Sequence, residues 1–310
     1  MSIRPVKRIA QSTPTIEGAG VKLRRAFGFG DPSEFDPFLM MDDFRADNPN
    51  DYLAGFPWHP HRGIETITYV LAGTVDHGDS LGNRGTLGAG DVQWMTAGSG
   101  ILHQEMPKGD PKGRMHGFQL WANLPSALKM TSPRYQDIPG GAIPEVVDDD
   151  GTRVRVICGD FWGKRGPVDG IAAEPRYLDV WVPPGRRKTL PVETYRQAFA
   201  YIFEGSGTFS DASQPFGVLQ EKQVDGEELL VREEVGNRSL IVFDSGDEVT
   251  VRAGDQGIRF LLVSGRPIKE PVAWYGPIVM NTQAEIRQAI ADLNSGAFIK
   301  EGSADVLRAR

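Results

Sequence analysis

Apolar and polar residues alternate in short bursts along most of this chain, and extended helical spacing is absent until its end. The runs 66–71, 92–95, 117–121, 153–158, 177–182, 199–203, 239–243 and 258–263 are each bounded by Gly, Asp or Asn. Short runs of period two, closed by turn-forming residues, predict β-strands. The 37 glycines and 22 prolines fit many tight connections. So many short strands predict an all-β chain of sandwich or barrel type. The pattern changes near the C-terminus. Thr282 and Glu285 have the spacing of a capping box, and Ile286, Ala289, Ile290 and Leu293 follow at helical spacing before Gly296. This predicts one amphipathic helix over about 283–295 that docks on the β body.

A weak internal repeat divides the chain. Residues 68–73 (TYVLAG) are matched by 200–205 (AYIFEG), and the Gly90-Asp91 turn by Gly254-Asp255. The Pro-, Gly- and Asp-rich stretch 138–151 reads as a linker or long turn. The expected organisation is two copies of one β domain, 1–137 and 144–310, the second ending in the helix.

Charge and composition narrow the function. At 310 residues with 40% hydrophobic residues, the chain can bury two ordinary cores. A net charge of −7 argues against direct nucleic-acid binding, and Arg186-Arg187-Lys188 reads as a solvated turn. The N-terminal residues carry charge without an apolar segment, and no apolar run reaches the roughly 18 residues of a membrane span. Cys158 stands alone, so no intrachain disulfide can form; it reads as a small buried residue in a protein of a reducing, cytoplasmic setting.

Candidate chemistry rests on the five histidines. Three of them fall in two i, i+2 pairs, His59-Pro60-His61 and His103-Gln104-Glu105. On a strand, i and i+2 share a face, so two such strands would offer three imidazoles and one carboxylate to one interior point. That donor set suits a divalent transition metal, iron above all, with zinc, nickel, manganese and copper as alternatives. Glu65 lies four residues after His61, with the same parity on a regular strand, and is a rival carboxylate. His77 sits in the turn-rich segment HGDSLGN and reads as a hairpin residue. His116 precedes a strand and reads as lying off the metal. Phe56, Trp58, Trp94 and Met95 could line an apolar pocket, and Gln119 shares parity with Trp121. No histidine follows His116, so only the first half can build such a site.

The Gly-rich approach, H-x-H, Glu65, the Gly73 turn, the Gly90-Asp91 turn and His103 together form a cupin pattern. HPHRG-E-T-YVL-G, DSLGNRG, GDVQWMTAGSGI-H-EMP, HGFQLWANLP and the late PIVMNT resemble the pirin family through nearly the whole chain. The resemblance implies two cupin domains, jelly-roll or β-sandwich barrels packed together, with metal in the N-terminal one. It carries the metal ligands onto His59, His61, His103 and Glu105, with Glu65 as an outer partner of a ligand imidazole. It implies quercetin 2,3-dioxygenase-type activity, with a flavonol-like substrate and O2; in such a reaction Glu105 is expected to accept the substrate hydroxyl proton as general base. Its alternative, second to the enzyme, is a metal-binding regulator that engages a protein partner without turnover.

Overall fold

A computed structural model describes residues 2–169, 171–210 and 234–300, together with the backbone of Gln223–Val224 and Glu227–Glu228. The chain is built of strands with one α-helix among the described residues, as its alternating pattern predicts. It divides into two compact units: Met1–Gln11 with Pro144–Gly166 and Pro175–Arg266, and Ser12–Ile143 with Pro167–Glu174 and Pro267–Arg310.

In chain order the first strands are β1 (Val6–Gln11), β2 (Thr13–Glu17), β3 (Val21–Gly28), β4 (Phe38–Asp43), β5 (Phe56–His61), β6 (Ile64–Ala72), β7 (Thr74–Asp79), β8 (Arg84–Leu87), β9 (Val92–Thr96), β10 (Ile101–Lys108), β11 (His116–Asn123) and β12 (Arg134–Ile138). β2 to β12 form two sheets of the histidine-bearing unit. One has seven strands in the order β12-β9-β6-β11-β4-β3-β2, the other four in the order β5-β10-β7-β8. Their inner faces meet through side-chain bonds, Thr68 of β6 to Glu105 of β10 and Gln93 of β9 to His77 of β7. This is the sandwich or jelly-roll arrangement of a cupin.

The hairpin Ala273–Tyr275/Ile278–Met280 and helix α1 (Gln283–Ser295) belong to this same unit. Both reciprocal bonds of the capping box form at Thr282 and Glu285, and Gly296 closes the helix in the left-handed conformation at φ 76°. Ile286 and Ala289 are buried with Ile278, Met280 and Phe298, so the apolar stripe of the helix docks as its spacing predicts.

The other unit is a nine-stranded sheet around an apolar core. β1 pairs with Ser239–Phe243, and the sheet continues through Gln197–Phe209, Glu248–Gly265, Arg176–Val182, Arg153–Cys158 and Glu145–Val147. Val154, Leu178, Val180, Ile202, Ile241, Phe260 and Leu262 fill it, and all are fully buried. Two local expectations change here. The Gly254-Asp255 turn is absent: both residues lie inside the long strand Glu248–Gly265, whose halves pair with Arg187–Pro191 and Arg176–Val182. The expected linker 138–151 also contributes a strand, Glu145–Val147, paired with the one starting at Arg153. At the first glycine the two copies share backbone conformation but not the turn: Gly73 and Gly205 both take positive φ, 78° and 67°, yet Gly205 lies inside the strand Gln197–Phe209.

Candidate metal centre

β5 and β10 run antiparallel, with His103 opposite His59 and Ile101 opposite His61. The i, i+2 rule therefore delivers three imidazoles to one point. Ring centroids are 4.8 Å apart for His59–His61, 4.4 Å for His59–His103 and 4.9 Å for His61–His103. One ring nitrogen of each lies within 4.8 Å of the others, and among the described residues this is the one such group of histidine, cysteine and acidic side chains.

The surroundings suit a cation. Burial lowers the pKa of His59 and holds His61 and His103 well below the usual imidazole value, so all three imidazoles are neutral near pH 7, the form that could ligate a metal. His59 places Nδ1 2.8 Å from the Pro57 carbonyl oxygen. Donation there fixes the ring and leaves Nε2 free, the usual way a ligand imidazole is oriented. His103 decides the fit. It is 1% exposed, and neither of its ring nitrogens has a hydrogen-bond partner. Leaving a buried polar atom unpaired costs roughly 1–3 kcal/mol, and a metal ion would satisfy one of the two nitrogens. The donor set offers imidazoles and no thiolate, which suits a first-row divalent metal.

The two candidate carboxylates are engaged elsewhere in this structure. Thr68 Oγ1 lies 3.0 Å from Glu105 Oε1 and 3.0 Å from Gln119 Oε1. One hydroxyl proton serves only one oxygen, so either Glu105 carries a proton or the Gln119 amide turns its NH2 to Thr68. Burial pushes the Glu105 carboxyl up to about 7 against the pull of the Thr68 hydroxyl. Glu65 also rises to about 7 on burial, opposed by the Thr96 hydroxyl; Thr96 Oγ1 donates to it at 2.7 Å. The parity argument linking Glu65 to His61 breaks at the turn between β5 and β6, where Gly63 has φ 78°. Within β6, Glu65 and Thr68 are three apart and point to opposite faces.

Glu105, Thr68 and Gln119 also line a small cavity with Val21, Phe44, Tyr52, Phe56, Val75 and Pro107. It offers about 10 Å³ to a water molecule's centre, room for about one water.

Residues 20–122 match the protein family described as Pirin, and residues 177–299 match the Pirin C-terminal cupin domain. The chain belongs to the pirin family. A pirin-like protein of Caulobacter vibrioides is 42% identical over 299 residues, 96% of this chain and 100% of that relative. A Pseudomonas aeruginosa protein that carries quercetin 2,3-dioxygenase as a provisional name is 40% identical over 299 residues, 95% of this chain and 98% of its own. The crystal structure of a quercetin 2,3-dioxygenase from Acinetobacter baumannii matches with a TM-score of 0.81 at 31% identity, covering 96% of this chain and 99% of that one.

The resemblance seen in the motifs of this pirin thus holds across both halves. Other residues agree with their sequence reading in part. His77 is the hairpin residue its sequence suggests: it lies in β7 opposite Gly85 of β8, 8% exposed, 3.1 Å from the Gln93 amide and stacked on Tyr135. His116 stands off the triad, 3.6 Å from Asp43. Phe56 does line the cavity beside Glu105, whereas Trp94 and Met95 are core residues at 1% and 0% exposure. Thr68 and Trp121 were not singled out as site residues, although Thr68 bonds Glu105 and Trp121 packs edge-on against His61 at 5.3 Å. Their signal was available as parity: Thr66 and Thr68 share a face, and they pair with Trp121 and Gln119. Among the described residues no helix is long and apolar enough to cross a membrane.

Proposed function

We propose that this pirin is a metal-dependent dioxygenase that opens the ring of a flavonol such as quercetin with O2. In this reading iron(II) is held by His59, His61, His103 and Glu105; zinc, nickel, manganese and copper fit the same donors. The carrying observation is His103, a buried imidazole with both ring nitrogens unbonded, inside a triad of neutral imidazoles. Glu105 is preferred to Glu65 because it shares the buried face of β10 with His103, while Glu65 sits on the face of β6 opposite the Thr68–Glu105 contact.

When bound, the metal supplies Lewis acidity to a coordinated hydroxyl and the redox chemistry that O2 requires. The remaining work falls to the chain. Glu105, which burial in the metal-free protein inclines to hold a proton, takes the substrate hydroxyl proton as general base. Thr68 and Gln119 orient the carboxylate, and Phe44, Phe56 and Val75 present apolar surface to an aromatic ring. A reducing, cytoplasmic setting accords with the single free Cys158.

The tightness of the cavity favours a second reading. The cavity beside Glu105 has room for about one water, so an aromatic ring enters that cavity only if its lining side chains move apart. A metal-binding regulator that engages a protein partner without turnover needs no such opening. The test is oxygen uptake by iron-loaded protein with quercetin, beside metal-free protein and His103→Ala. Uptake that depends on both iron and His103 is expected. Tight iron binding with uptake no greater than the metal-free control would overturn the dioxygenase reading in favour of the regulator.

A further inference from the structure

The C-terminal hairpin and helix press on the back of the histidine site, and one buried arginine gathers the contacts. Arg62 follows His61 directly and is 2% exposed. Its Nε donates to the Ser99 carbonyl at 2.7 Å, Nη1 to Asp292 Oδ2 at 2.8 Å and Nη2 to the Phe298 carbonyl at 2.9 Å. Its guanidinium also lies 4.1 Å from the centre of the Phe298 ring. Ser99 sits in the turn that leads into β10 and His103. A single side chain therefore ties the end of β5 to the entry of β10, and both to α1 and the segment just after it.

The main chain repeats the connection. Val279 N–H donates to the Arg62 carbonyl at 3.0 Å. A second buried basic side chain, Lys129, donates to the carbonyls of Gly63 at 2.8 Å and Val279 at 2.9 Å. Two glycines permit the approach: a Cβ on Gly63 would lie 2.0 Å from the Val279 carbonyl oxygen, and one on Gly100 would lie 2.8 Å from that of Phe298.

We propose that Arg62 is a positioning residue of the metal centre, through which residues 273–298 hold the two histidine-bearing strands in ligating register. The physical reason is leverage. β5 and β10 are hydrogen-bonded neighbours, and all three imidazoles ride on them. A shift of either strand end moves His61 or His103 relative to the other ligands, and a metal tolerates little such movement. A guanidinium suits the role because its planar fork bonds three acceptors in fixed directions. Helix α1 is thus part of the framework of the site, although it contributes no ligand.

The inference rests on the metal reading of the preceding subsection, and the test separates the two. Cobalt(II) is titrated into metal-free full-length protein and followed by its visible absorption, for wild type, Arg62→Met and Asp292→Asn. Loss of an outer partner that orients metal ligands weakens binding on the order of 10–100-fold. Arg62→Met is expected in that range with an altered cobalt spectrum, and Asp292→Asn at its lower end, about 10-fold. Asp292→Asn leaves Arg62 and every proposed ligand in place, so it decides the question if Arg62→Met does not fold. Folded variants with the wild-type affinity and spectrum overturn the positioning role, whatever their thermal stability. Wild-type protein that takes up no cobalt overturns the metal reading itself.

Discussion

Replacing Glu105 by glutamine probes the energetic state of the site without any metal. Glutamine keeps the shape and one acceptor oxygen for Thr68 and removes only the titration. Burial raises the Glu105 pKa from 4.5 to about 7 in the folded protein. Each pKa unit corresponds to about 1.4 kcal/mol, so the rise corresponds to about 3 kcal/mol. Its sign is set by where the proton resides. Below pH 4.5 the carboxyl is protonated in both folded and unfolded chains and carries no penalty. Between pH 4.5 and about 7 the unfolded chain releases the proton while the folded one retains it, so stability falls as pH rises; above about 7 the loss is complete. Glu65 follows the same course in wild type and variant, and the neutral histidines titrate alike in both, so the difference between the proteins isolates Glu105. Urea denaturation of chelator-treated protein, followed by tryptophan fluorescence at pH 4.5 and pH 8, measures it. The stability of Glu105→Gln relative to wild type is expected to increase by about 3 kcal/mol from the lower to the higher pH. Parallel stability curves for the two proteins would refute the picture of a buried, proton-holding carboxyl.

Two further outcomes test the framework around the site. Thr282→Ala removes the hydroxyl that accepts the Glu285 N–H at 3.2 Å; a loss of about 1 kcal/mol, with faster amide exchange in the first turn of α1, is expected by hydrogen-exchange mass spectrometry. Gly63→Ala and Gly276→Ala both place a side chain at positive φ, 78° and 55°, but only the first also drives a Cβ against a carbonyl, with nothing within 4 Å of the second. Thermal unfolding should therefore show Gly63→Ala as clearly the less stable of the two, beyond the roughly 1–3 kcal/mol of left-handed strain they share; equal losses would mean that the close approach of Val279 does not matter.

Much of the fold was legible because its signals are local. Alternation marks strands wherever a sheet has an inner face, and the helix announced itself through Thr282, Glu285 and Gly296, which satisfy its ends whatever lies around it. Where longer-range pairing decides, local signals misled. Gly254-Asp255 looks like a turn, yet the partners on either side keep it within a strand.

The site divides along the same line. The sequence alone determined that His59 and His61 share a face, that His103 and Glu105 share another, and that nothing beyond His116 could supply an imidazole, because strand parity and residue identity need no partner. Tertiary structure alone decided that β5 and β10 are neighbours with His59 opposite His103. It also decided that the turn at Gly63 cuts Glu65 off from the parity of His61, that Thr68 meets Glu105 across two sheets, and that Arg62 fastens the C-terminal helix to the histidine strands. Parity is a property of one strand and ends where the strand ends. Register, turns and the meeting of sheets depend on segments as far apart as residues 62 and 292, and only the folded chain brings those together.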